Sequence, residues 1–152
     1  MINSDNIIKK INITLTEIRD DIKLNLVLPH VVALISEIIN RNFDLQGAWD
    51  GNSSKIDLFS GGSEKWAKFS NSTIKSYSNS RLGITPKLYR TGNLKRNIEV
   101  GNSNNQIYIS SNAPYSIFHQ FGTKSIPARP FIVLSEDDLQ EIYEVIASFL
   151  TK

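Results

Sequence analysis

The apolar positions of the first third recur at helical spacing. Ile11, Leu15, Ile18, Ile22 and Leu26 fall at steps of four and three, and Glu17, Arg19, Asp20, Asp21 and Lys23 fall mostly elsewhere. Ser4 or Asp5 suits the start of such a helix as a cap. Pro29 biases Leu28 away from helical geometry and is tolerated in the first turn of a new helix. The pattern therefore predicts a break near Leu28 and a second helix to about Asn42, burying Val31, Leu34, Ile35, Ile38 and Ile39. Amphipathic stripes of this kind usually form core.

From about Asp44 to Pro86 the periodicity is lost. Gly51-Asn52-Ser53-Ser54, Ser60-Gly61-Gly62-Ser63 and Ser70-Asn71-Ser72-Thr73 are turn chemistries, with Trp49, Phe59, Trp66, Phe69 and Tyr77 between them. Structureless connections beyond about 12–15 residues are uncommon in compact domains unless they are functional or disordered. Disordered segments, however, are poor in aromatics. An arm, mobile over about 48–80 in the free subunit and ordered on assembly, reconciles the two.

A clear pattern returns near residue 87. Leu94–Val100 and Gln106–Ser110 alternate apolar and polar positions, which predicts two strands joined by a turn at Gly101–Asn105. Pro114–Phe121 reads as a short helix that Gly122 ends in a left-handed conformation. Phe131–Leu134 reads as an apolar strand. Ser135 and Asp138 form a capping box for a last helix that buries Leu139, Ile142, Tyr143, Ile146 and Leu150. The expected fold is α+β in a single domain, 1–152. A helical part (1–43), a flexible loop or arm (44–86), and a sheet with a C-terminal helix (87–152) make it up. The small antiparallel sheet packs with the N-terminal and C-terminal helices.

Composition narrows the chemistry. The 152 residues include no cysteine and two histidines, which excludes disulfides, zinc-thiolate sites, iron–sulfur clusters and cysteine nucleophiles. No apolar run approaches the ~18 residues of a membrane span, and the first residues lack the features of a signal peptide. The expectation is a soluble protein in a reducing compartment, so the sequons at Asn12, Asn52 and Asn71 carry no weight. His119, between Phe118 and Phe121, reads as a half-buried packing residue with a local hydrogen bond; no nucleophile and orienting acid accompany it. Two isolated histidines make no metal site. Glu136-Asp137-Asp138 complements a helix dipole in the first turn. Ser72-Thr73-Ile74-Lys75 matches a Ser-x-x-Lys pattern without its partner motifs. No catalytic residue, cofactor or small-molecule substrate is expected.

Ile126-Pro127-Ala128-Arg129-Pro130-Phe131 is the stiffest segment, since two prolines fix φ and push their predecessors to extended geometry. It reads as a connector or edge segment, or as a preformed surface for a partner subunit with Arg129 as a carboxylate-pairing anchor. The net charge of +2 is uninformative as a total, but its distribution is not. From Lys55 to Arg96 nine basic residues face only Asp57 and Glu64, a balance of +7, and the remainder carries −5. From Ser135 to Lys152 the balance is −4. Such segregation suits head-to-tail subunit contacts or proximity to DNA.

Three segments in order resemble the phage virion morphogenesis family, the tail completion proteins of long-tailed phages that are similar to the G protein of phage Mu. They are Thr91-Gly92-Asn93-Leu94, Ala113-Pro114-Tyr115-Ser116-Ile117-Phe118-His119-Gln120-Phe121-Gly122-Thr123 and Ile126–Phe131. Asn42-Phe43, Gly47 and Trp66 are similar to a weaker upstream segment of that family, and the Phe-Gly-Thr ending is similar to related minor tail components. Ser116 replaces the usual Ala, the stretch 48–63 looks inserted, and the first helix is long for the family. The resemblance implies a structural virion protein that completes the tail or joins head to tail. It implies a ring of identical subunits, a hexamer being one such ring. The neighbours it implies are connector, tail-tube or terminator proteins, with room for DNA in the ring lumen and no membrane. It also implies assembly in the host cytoplasm and a final place in the virion, at the tail or neck. It carries over no catalytic residues. Thr91, Gly92, Leu94, Tyr115, His119, Gln120, Gly122, Pro127, Arg129, Pro130 and Phe131 take fold and subunit-contact roles. The competing expectation is a nucleic-acid-binding module using the basic segment 55–96.

Overall fold

A computed structural model describes residues 21–47, 55–56 and 66–150. Ile11, Leu15, Ile18, Trp49, Phe59 and the caps at Ser4 or Asp5 lie outside them. The elements run α1 (Asp21–Asp44), β1 (Lys55–Ile56), α2 (Asn71–Ser78), α3 (Asn93–Arg96), β2 (Ile98–Ser103), β3 (Gln106–Ser111), α4 (Ser116–Phe121), β4 (Leu134–Ser135) and α5 (Glu136–Leu150). The α+β class expected from the sequence is observed.

α1 passes through Pro29 without a break. A proline inside a helix forfeits the bond to the carbonyl four residues earlier. Asn25 and Pro29 are both exposed, so water can take that carbonyl. The continuous helix re-aims its first turns: Leu24, Val27 and Leu28 are buried, whereas Leu26, expected inside, is 57% exposed. Further along, Val31, Ile35, Ile38 and Ile39 are buried as expected and Leu34 packs against them. Leu24–Asp44 is also apolar and long enough, by length and composition, to cross a membrane, which the sequence reading overlooked. Here its apolar stripe is core, packed against α5 and β2.

β2 and β3 form an antiparallel hairpin with Ile98 opposite Ser111 and Ser103 opposite Gln106. The turn is therefore two residues, Asn104-Asn105, rather than Gly101–Asn105. Both asparagines have positive φ (51° and 61°), the geometry whose twist matches that of the flanking strands. Ile98, Val100, Ile107 and Ile109 face the core, while Glu99, Tyr108 and Ser110 are exposed. Leu94 is not strand. Gly92, at φ 67°, starts the single turn α3, which drives Leu94 into the core.

The middle segment is more ordered than an irregular arm in its described part. Trp66 is buried, and Ser70 caps α2 by accepting from the Thr73 N–H at 3.2 Å. The rest of the expected mobile stretch lies outside the described residues, apart from β1, which pairs antiparallel with β4.

Of the expected Phe131–Leu134 strand only Leu134 pairs with another strand, together with Ser135 just beyond it. The Ser135–Asp138 capping box forms reciprocally: the Ser135 N–H donates to Asp138 Oδ2 (2.7 Å) and the Asp138 N–H to Ser135 Oγ (3.0 Å). The other oxygen of this buried carboxylate pairs with Arg41 of α1, fixing α5 to α1. Leu139, Ile142 and Ile146 are buried and Tyr143 is partly so.

Phe43 centres the core. Its ring meets Trp66 and Tyr89 edge-on, with centroids 5.5 and 5.8 Å away, and Phe131 tilted at 5.6 Å. Three distant segments are thereby drawn onto the end of α1.

Candidate functional site

The segment from Tyr115 to Phe131 folds back on itself, and the reason is local. α4 begins at Ser116, two residues later than the sequence suggested, and ends at Gly122. Gly122 has φ 75° and ψ 177°, a region essentially reserved for glycine and different from the left-handed helical end expected. A Cβ there would stand 2.7 Å from the Ala128 nitrogen and 2.9 Å from the Ile126 carbonyl oxygen. Thr123 tightens the turn, its Oγ1 accepting from the Ser125 and Ile126 N–H groups. The returning chain is tied down where the Arg129 N–H donates to the His119 carbonyl at 2.7 Å.

Phe131–Val133 has extended neighbours made of side chains. Gln120, 4% exposed, accepts from the Phe131 and Ile132 N–H groups and donates to the Ile132 carbonyl, at 3.0, 3.2 and 3.2 Å. From the other side the fully buried Asn42 donates to the Phe131 and Val133 carbonyls at 3.2 and 2.9 Å. These carboxamides satisfy backbone groups that a strand would otherwise have to pair. Gln46 does the same for residue 87, accepting from its N–H at 2.6 Å and donating to its carbonyl at 3.3 Å. Asn42, which the sequence marks only as part of a weak family segment, and Gln46, which it does not mark, were not anticipated as partners of distant backbone. The legible signal was a polar residue four places after Ile38, on the buried stripe of α1.

Arg129 is not turned outward as a carboxylate anchor. It is 7% exposed, donates from Nε to the Ala67 carbonyl (3.2 Å) and from Nη2 to the Lys68 carbonyl (3.4 Å), and lies over the Phe69 ring. The next residue completes the seam, since Trp66 donates to the Pro130 carbonyl at 2.7 Å. The stiff proline segment thus holds the chain around 66–70.

These elements enclose an open cleft of about 510 Å³. Thr91, Leu94, Tyr115, His119, Pro127 and Arg129 line it with Lys68, Phe69, Tyr77 and Arg90. Six of the eleven residues singled out by sequence thus reach one surface. Asn93 links two of the walls by donating to the Tyr115 hydroxyl at 2.7 Å. Gly92, Gln120, Gly122, Pro130 and Phe131 do not line the cleft; they shape the backbone behind it. Lys68, Phe69, Tyr77 and Arg90 carried no motif and were not anticipated as a group.

The lining is basic. Arg90 stacks on Tyr77 with its guanidinium 4.1 Å from the ring centre. Among the described residues no carboxylate lines the cleft. Burial, and then the charge of Arg129, hold the His119 imidazole below its ordinary pKa, so it stays neutral. Burial likewise pulls Arg129 down from its usual value, opposed by Tyr77. His119 Nδ1 is buried without a hydrogen-bond partner among the described residues, where a local bond had been expected; its ring meets Tyr115 edge-on at 5.9 Å. Among the described residues no cluster of three His, Asp or Glu side chains could hold a metal.

The family model described as the phage virion morphogenesis family matches residues 62–151. The chain belongs to the phage virion morphogenesis family. Its match takes in the three motifs, the cleft and α5. A curated relative, Mu-like prophage FluMu G protein 2 of Haemophilus influenzae, is 38% identical over 69 residues, covering 41% of this chain and 50% of the relative. The chain spans about half the length of that relative. No solved structure matches it. The family is described by a part in phage virion morphogenesis.

Proposed function

We propose that this chain is a structural, non-catalytic subunit that completes the tail, or joins head to tail, by forming a ring with copies of itself at the head–tail junction. The observation that carries the reading is the convergence of family-motif residues from three separate segments on one open, basic cleft. Enzyme sites gather titratable groups whose pKa values are set against one another. Here the motif residues instead fix backbone, as Gln120 and Gly122 do, or wall a surface, as Tyr115 and Pro127 do. A rigid wall built on short, hydrogen-bonded turns is what a subunit contact needs. Next to it Ile117, Phe118 and Phe121 of α4 stand about half exposed (56%, 50% and 47%), apolar surface of the kind that interfaces cover. The segment acts in the host cytoplasm during assembly and then in the neck, beside connector and tail proteins.

Electron microscopy of particles produced without the chain tests this. Separate heads and tails are expected. Normally attached tails would overturn the proposal.

A further inference from the structure

The same chain carries a basic cleft and, on another element, an acidic surface complementary to it. On α5 the apolar face is spent on the core, with Leu139, Ile142 and Ile146 buried. Asp137, Glu141 and Glu144 follow one another at steps of four and three and are exposed, so they share the opposite face. That face spans about 10 Å, seven residues at helical rise. Along the sequence the signs are separated: Lys68 and Arg90 line the cleft, with Lys75 and Arg81 exposed in the same basic segment, while Ser135 to Lys152 carries −4.

We infer that the cleft is the receptor half of a head-to-tail contact and that its occupant is the acidic outer face of α5 from a second copy of this chain. The inference rests on the ring assembly proposed above and names the surfaces that make it. Glu141 and Glu144 meet Lys68 and Arg90, the guanidinium being suited to two-pronged pairing with a carboxylate. Exposed Tyr115 at the cleft wall, with Phe118 of α4 exposed nearby in the chain, supplies apolar contact. Because the two surfaces differ, each subunit offers one and uses the other, and repetition closes a ring or continues as a filament. Arg129 shapes the cleft through the carbonyls of Ala67 and Lys68 and is left intact in the test.

Native mass of the full chain reads the contact. Wild type is expected to assemble at low salt and to weaken at least tenfold as salt rises from about 0.05 to about 0.5 M, since exposed pairs are screened over that range. Lys68→Glu with Arg90→Glu, and separately Glu141→Lys with Glu144→Lys, are each expected to leave single chains. In the first variant both surfaces are acidic and in the second both are basic. Mixing the two restores assembly, with the variants alternating. The milder Lys68→Gln with Arg90→Gln weakens assembly and flattens its salt dependence. Assembly that ignores salt, either reversal assembling like wild type, or a mixture that stays single would overturn the inference. So would salt-sensitive retention on DNA lost in Lys68→Glu with Arg90→Glu while the mass is unchanged, because the cleft would then be a phosphate site. If the reversals assemble normally and particles without the chain still lose their tails, the inference falls and the proposed function stands. Attached tails in those particles would remove the function whatever the masses.

Discussion

Single side chains decide where the irregular half of this molecule lies, and carboxamides do most of it. Gln120 offers three hydrogen bonds to the 131–132 backbone from a nearly dry position. Gln120→Leu keeps the volume but leaves the buried Phe131 N–H unpaired. It should lower stability by about 2–4 kcal/mol, read as a shift of the denaturant midpoint at constant slope. His119 sets a pH dependence. Its pKa in the fold lies below the ordinary 6.5, so the unfolded chain binds the proton more readily. Its contribution is complete above pH 6.5 and is lost as pH falls through the lowered value. The melting temperature should therefore drop between about pH 7 and 5, and His119→Phe should reduce that drop. An equal drop in both proteins would show that other groups set it. Asp44 adds a loss at lower pH. Its carboxylate is held down by the Tyr89 hydroxyl and then by Lys95, at 2.6 and 3.1 Å.

At the scale of elements, periodic segments were legible and segments held by side chains were not. The α1 stripe from Val31 to Ile39, the alternating hairpin strands and the Ser135 cap follow from local spacing, and each is found. The break expected near Leu28 is absent because a proline rule describes an isolated helix. In the fold, buried Val27, Leu28 and Val31 on either side of Pro29 anchor the helix to the core, and it continues. A helix-interior proline still costs stability, so Pro29→Ala should raise it by about 1–3 kcal/mol, measured by chemical denaturation. Phe131–Leu134 read as strand because its residues are apolar, but its partners are Asn42 and Gln120, which no strand pattern announces. The segment around Arg129 reads as a stiff connector or as a partner surface anchored by that residue, because its spacing does not show what receives the guanidinium. Here backbone carbonyls from residues 67 and 68, more than 60 positions away, receive it.

Over the whole molecule, the motifs mark a shape more than a chemistry. Three short segments far apart in the chain build one cleft, and the sequence signalled the segments but not the cleft, because Lys68, Tyr77 and Arg90 join it only through the fold. The uneven charge was legible from the start and acquires positions here: basic side chains around the cleft, acidic ones along the outer face of α5. As a building part at the junction of head and tail, this chain belongs at one place in the finished particle. Gold labelling of an epitope-tagged chain in purified particles locates it. A single cluster of label at the neck of each particle is expected. Label absent from finished particles, or spread along the tail, would contradict it.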